Sequence, residues 1–387
     1  MRIALERSRS EIYDRIVLRL AKGFAQAGHT PVLVDPAAIT SVPELFLAYD
    51  DCDWALISNS AGLLSMHLDD GFLFERVAPK LLFLHHDAPF NSSDLEQIRG
   101  KLEAYLRIRE RSLHFSIENS DETDLNRLGI SCYPITHIST LDEPPRPQPA
   151  PPPVRGIAFI GHVVPPIHVP IAFGTELDLN YFQSYLGRLR RMDHPVKADF
   201  PIGAVSDNLD TTARKAQYIQ YVNTFSLFQR GALLQDLPDY DVHIFGGDPS
   251  WIHGVEPSRF LTKNGLAYHP PVFETRAIAE VFAGSRVNLN ITSLQFDTAV
   301  INRLMDCASC GGFMLTDRKD QLSELTSVAE EVMFATPAEL ADKLEFFLNP
   351  ANDSKRREIA GTLAEDIARS CSLEHTIGYM LDQMSRQ

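Results

Sequence analysis

The chain has 387 residues, 44% of them hydrophobic, enough to bury two cores of ordinary domain size. Its formal charge of −15, from 36 basic against 51 acidic residues, argues against nucleic acid or an anionic membrane as the main partner. No apolar run reaches the length of a membrane span and Arg2 to Leu5 already reads as a strand, so a cytoplasmic protein without a transmembrane segment or leader is expected.

Short apolar runs at Arg2 to Leu5, Pro31 to Val34, Trp54 to Ile57, Leu81 to Leu84, Leu113 to Ile117 and Cys132 to Ile135 read as strands separated by helices such as Asp14 to Ala27. Strands alternating with helices predict a parallel sheet covered on both faces. The turn after the first strand, E-R-S-R-S-E, lacks the G-x-G-x-x-G spacing, which argues against a dinucleotide site there. The fourth strand ends in His85-His86-Asp87, followed by Pro89. A parallel sheet delivers such a strand end to its ligand crevice, so His86 and Asp87 are candidate catalytic groups, with a hydrogen-bonded core His85 and a turn-capping Asp87 as the bland alternative. The polar strand end from Ser116 to Asp121 fits a cap for the next helix.

Between Glu143 and Arg155 lie seven prolines, a composition that favours extended polyproline geometry over a packed element. This stretch divides an amino-terminal domain (1–142) from a carboxyl-terminal one (156–371), the linker being 143–155, and residues 372–387 form a last helix. The second domain repeats the alternating pattern, with strands at Ile157 to Ile160, Val242 to Phe245, Leu266 to His269, Val287 to Ile291, Phe313 to Leu315 and Val332 to Phe334, and a long helix expected over Asp207 to Phe228. Gly161-His162 and Gly246-Gly247-Asp248 follow strands directly, where glycine lets a backbone approach a phosphate. The H-P-P-V-F-E-T-R segment from His269 reads as a proline turn entering a helix at Glu274.

The segment S-R-V-N-L-N-I-T followed by D-T-A-V-I-N-R-L-M-D-C-A-S-C-G-G-F-M-L-T-D reads as strand, helix and strand, with Asn290 at the first strand's polar end. The helix is expected to be capped at Asp297 or Thr298 and to be stopped by Gly311-Gly312. A helix N-terminus facing a strand's carboxyl end is where phosphates settle in doubly wound folds. Asn302 and Asp306, four apart, share one helix face with Arg303 beside them. Cys307 and Cys310 form the one C-x-x-C, but they end that helix instead of starting it, which favours packing over redox or zinc chemistry, and five cysteines without framework spacing fit reduced thiols.

The run from Asn302 to Asp317 resembles the N-x-R-x-F-E-A-x-A-C-G-G-F-x-L-T signature of the CgeB-like glycosyltransferases, a bacterial branch of the GT-B enzymes, and the similarity extends weakly from Ile157 to the closing helix. The resemblance implies a GT-B fold of two Rossmann-like domains whose parallel sheets face a cleft, and a sugar transferase using a nucleotide-sugar donor, with no cofactor and no metal. It places the ribose on Asp306, where the family carries Glu, and the base of the nucleotide on the main chain near Val272 and Phe273. It leads the last helix back to the first domain. Gly161, His162, Gly246, Asn290, Thr298, Asn302 and Arg303 complete the expected donor site, and Asp87 or His86 is the expected base if configuration is inverted. No D-x-D pair ends a strand of the donor domain, which fits metal independence. The acceptor is expected to be a glycan, protein or small molecule. A non-catalytic nucleotide-sugar-binding protein and a nucleotide-sugar epimerase are the alternatives the same architecture supports.

Overall fold

Two parallel sheets carry the chain in the computed structural model, which describes residues 1–58, 67–68, 70–89, 94–141, 153–161, 163, 209–223, 226–246 and 265–387. The strands, in chain order, are β1 (Arg2–Glu6), β2 (Thr30–Val34), β3 (Trp54–Ser58), a short antiparallel pair β4 (His67–Leu68) and β5 (Gly71–Phe72), β6 (Lys80–His85), β7 (Ser112–Ser116) and β8 (Cys132–Pro134). After the proline-rich segment come β9 (Arg155–Ile160), β10 (Val242–Phe245), β11 (Leu266–His269), β12 (Ser285–Asn290), β13 (Met314–Asp317) and β14 (Met333–Phe334). The first sheet has the order β2-β1-β3-β6-β7-β8 and the second β11-β10-β9-β12-β13-β14. All their pairings are parallel. Strand order reverses beside β1 in one sheet and beside β9 in the other, and ligands bind outside the carboxyl ends of strands at such points.

The helix Glu11–Gln26 buries Ile16, Val17, Leu20 and Phe24 on one face of the first sheet, and Gly28, at φ +84°, ends that stretch of chain. The last helix, Leu373–Arg386, packs against it. A Cβ on Gly23 would lie 2.6 Å from Ile377 Cγ1, so glycine is what lets the two helices approach. Ile377, Met380 and Met384 join Ile3, Leu5 and Phe24 in one core. So do Phe296, Ala299 and Ile301, from the loop after β12. The two halves are thus wedged together by apolar side chains as well as facing each other.

Three features differ from expectation. The expected long helix over 207–228 is two helices, Leu209–Asn223 and Ser226–Asp236. The first of them, although it follows the proline-rich segment, packs on the amino-terminal domain: Ala213 is buried in that core, Arg99 Nε donates to Asp210 Oδ1 at 3.0 Å and Lys215 Nζ pairs with Asp124 at 2.5 Å. The third is the helix expected from Asp297, which runs only from Asn302 to Ser309, with Ile301 at its cap. Before it the chain is irregular: the N–H groups of Asp297, Thr298 and Ala299 bind a carboxylate of the other domain, described below, and that of Val300 goes to Gln321 Oε1 at 3.3 Å.

Candidate active site

A cleft of about 350 Å³ opens between the strand ends of the two sheets. Its first-domain wall is Tyr13 and Arg15 on the first helix, His86 and Asp87 after β6, and His137. Its second-domain wall is Gly161 after β9, Gly246 after β10, Val272 and Phe273 after β11, Arg230 on the helix Ser226–Asp236, and Asn302, Arg303 and Asp306 on the short helix.

Asp87 stands at the junction. Its Oδ2 accepts a hydrogen bond from the Tyr13 hydroxyl, and its Oδ1 one from Gln295 Nε2 at 2.7 Å. Burial pushes its carboxyl pKa up, and these two donors pull it partly back. His86 is stacked between Tyr13, at 5.6 Å, and His137, at 5.2 Å, with neither ring nitrogen hydrogen-bonded among the described residues. Burial keeps its pKa well below the ordinary value and lowers that of His137 to about 4, so both are neutral at working pH. His85 takes the bland alternative: it is wholly buried, its Nε2 lies 3.0 Å from His114 Nδ1, and burial lowers its pKa to about 3.

Across the cleft, Arg303 Nη1 donates to the Ile160 carbonyl at 3.0 Å, and its guanidinium lies 5.9 Å from the Phe159 ring centroid. A Cβ on Gly161 would come within 3.1 Å of that guanidinium, and one on Gly246 within 3.0 Å of the Gly161 carbonyl, so these turns need glycine for close approach. Arg230 donates from Nε to Ile291 O at 2.9 Å and from Nη2 to Ser293 Oγ at 3.0 Å. Burial, then the neighbouring Arg303, lowers the Arg230 pKa to about 9, and burial lowers that of Arg303 to about 10. Asp317 raises both, but is itself paired with Lys319 at 3.2 Å. Two guanidiniums that repel each other stand on one wall of the cleft, where an anion between them would relieve that repulsion.

Asp306 lines the same wall, and its carboxylate accepts from Ser139 Oγ at 2.8 Å, Thr140 N at 2.5 Å and Thr140 Oγ1 at 2.8 Å. Burial raises its pKa against those hydrogen bonds. A carboxylate has about four lone-pair sites, which leaves room for one more donor. The main chain near Val272 and Phe273 also reaches the cleft, where the Phe273 carbonyl takes a 2.7 Å hydrogen bond from Arg15 Nη1.

Two expected donor residues are elsewhere. Asn290 is buried within the second domain and donates to Thr316 Oγ1 at 2.9 Å and Thr292 Oγ1 at 3.2 Å, since a strand-end amide beside another strand finds hydroxyls before it finds solvent. Thr298 belongs to the loop whose N–H groups bind Glu118 instead of a phosphate. His162, Gly247 and Asp248 lie outside the described residues. The site residues that the sequence reading missed are Tyr13, Arg15, Arg230 and Gln295. Arg230, a cation within the apolar run F-S-L-F-Q-R-G-A-L-L, carried a usable signal, because a helix facing a core has no other reason to hold one.

Residues 229–384 match the model of a family described as glycosyl transferase-like, a span that holds Arg230, Arg303 and Asp306. The whole chain adopts the GT-B fold, as the solved structures show. T4 phage β-glucosyltransferase with its UDP-glucose substrate superposes with a TM-score of 0.53 at 10% identity over 99% of both chains. An α-glucosyltransferase bound to UDP and a 13-mer DNA gives 0.55 at 10% identity over 100% of this chain and 99% of the other. Sucrose-phosphate synthase from Thermosynechococcus elongatus gives 0.55 at 12% identity over 100% and 98%. No curated protein sequence matches the chain. Among the described residues no helix is long and apolar enough to cross a membrane, and Cys307 and Cys310 are both buried, as packing residues would be.

Proposed function

We propose that the protein transfers a sugar from a nucleotide-sugar donor to an acceptor hydroxyl, without a metal. The observation that carries this reading is the arginine pair, Arg230 and Arg303, facing Asp87 across one cleft. Charge develops on the donor diphosphate as the glycosidic bond breaks, and two preorganised guanidiniums in a desolvated site stabilise it. The Asp306 carboxylate keeps one acceptor position for a ribose hydroxyl, and the main chain at Val272 and Phe273 faces the base of the nucleotide. The donor is a uridine diphosphate sugar, a reading supported by the UDP-glucose bound to T4 β-glucosyltransferase and the UDP bound to the α-glucosyltransferase. The helix motif from Asn302 supports placement in the CgeB-like branch, with Asp306 one methylene shorter than the family's Glu.

In an inverting reaction Asp87 takes the acceptor proton. Each of its oxygens is held by one donor and keeps lone pairs for a further one. In a retaining reaction the departing phosphate takes that proton, and Asp87 positions the acceptor. The formal charge of −15 supports an acceptor other than DNA. Calorimetry with UDP, UDP-glucose, UDP-galactose, UDP-N-acetylglucosamine, GDP-mannose and dTDP-glucose, followed by an assay for release of the nucleotide, tests the proposal. Binding with slow hydrolysis is expected, whereas binding without any turnover, with every acceptor class, would leave only a binding protein.

A further inference from the structure

We infer that Gln295, on the loop after β12, is a positioning residue that fixes the Asp87 carboxylate in the orientation the transfer step needs. The inference rests on the reading of Asp87 as the base. Gln295 is 5% exposed and crosses from the second domain to the first. Its Oε1 accepts from the Ala88 N–H at 3.2 Å, while its Nε2 donates to Asp87 Oδ1 at 2.7 Å. The Ala88 N–H can only donate and an ionised carboxylate can only accept, so the site demands a side chain that does both from one planar group. An amide meets this demand. A carboxylate would repel Asp87, and a hydrocarbon would leave the Ala88 N–H and Asp87 unmatched.

The loop is itself anchored, because the next residue, Phe296, is buried in the first-domain core together with Ala299 and Ile301. Gln295 is therefore held from behind, and it holds Oδ1 while Tyr13 holds Oδ2. With both oxygens tied, the plane of the carboxylate is set, and its remaining lone pairs have fixed directions. Misplacement of a base by about 1 Å costs on the order of a hundredfold in rate. The titratable and charged groups around Asp87 are Tyr13 and Arg15 on the first helix, His86 beside it, His137 behind His86 and, across the cleft from the second domain, Arg230, Arg303 and Asp306; Gln295 is the second-domain group that touches Asp87 itself.

The test uses the full chain and whichever of UDP-glucose, UDP-galactose, UDP-N-acetylglucosamine, GDP-mannose and dTDP-glucose it hydrolyses fastest, with water as acceptor, from about pH 4.5 to 8.5. Gln295→Leu should lower kcat roughly tenfold or more while the donor KM stays within about twofold, the split expected when a positioned base is lost but donor binding is not. Gln295→Glu, which keeps the size of the side chain, should move the acid limb of the kcat profile up by about one unit, because a second carboxylate disfavours ionisation of Asp87. If both variants keep kcat and the acid limb of the wild type, or lose only thermal stability, the inference fails and the transferase reading stands. A wild-type chain that hydrolyses none of the five donors overturns both.

Discussion

The Glu118 carboxylate accepts a 3.0 Å hydrogen bond from the backbone N–H of Thr298, which belongs to the other domain. The same oxygen takes the N–H groups of Asp297 at 3.0 Å and Ala299 at 3.2 Å, and the second oxygen takes the Thr298 hydroxyl at 3.0 Å. Successive N–H groups turned to one point make an anion nest, and this protein fills its nest with its own side chain. Nearby, Gln321 Nε2 donates to Ile117 O at 2.8 Å and to Asn119 Oδ1 at 3.1 Å, so the junction is polar and saturated.

Replacing Glu118 by Gln should destabilise the fold by about 3 kcal/mol, since the buried amide would set its NH₂ against N–H donors it once accepted from. The midpoint of urea unfolding followed by fluorescence measures this. An unchanged midpoint would mean that the nest contributes nothing to joining the domains.

Arg230→Ala and Arg303→Ala should each weaken UDP binding roughly tenfold or more, the loss of one charge-assisted hydrogen bond being worth about 1.5 to 3 kcal/mol. Relief of the repulsion between the two makes the double variant less damaging than the sum of the single ones. Calorimetry on the three variants checks both statements; UDP affinity equal to wild type in either single variant would remove the arginine pair from the donor site.

Asp87→Asn keeps the shape and removes the charge, so donor affinity should survive while transfer falls by about two orders of magnitude. The raised Asp87 pKa adds a sign: the active form is the ionised one, so kcat should fall as pH drops through a value above the usual carboxylate figure of about 3.9. If the variant turns over normally per folded molecule, Asp87 caps a turn and has no part in the chemistry.

If Arg230 and Arg303 neutralise the diphosphate as proposed, activity in excess chelator should equal activity without it. Turnover that returns only on addition of magnesium or manganese would overturn that assignment.

The strands and the parallel order were legible because alternation and apolar runs depend on neighbours in sequence. Asp87 and Arg303 were legible for the same reason: one ends a strand, the other interrupts an apolar helix. The role of Thr298 was not, because the partner that decides it, Glu118, lies 180 positions away in sequence. A helix that would have begun at Asp297 loses its first turn to that distant carboxylate, and local propensity cannot register it. Gln295 and Tyr13 stayed hidden because each meets Asp87 from far off in sequence, 208 positions away for Gln295 and 74 for Tyr13.

The apolar wedge of Phe296, Ala299 and Ile301, together with Ile377, Met380 and Met384, completes a core whose other members lie before residue 139. During synthesis the ribosome adds about 5–20 residues per second, so the stretch from residue 139 to residue 384 takes roughly 10 to 50 s. Through that interval the first helix covers part of that face of the first sheet, and the rest of the cover is not yet made. A chain cut short in the proline-rich segment would expose the apolar side chains that these late residues cover.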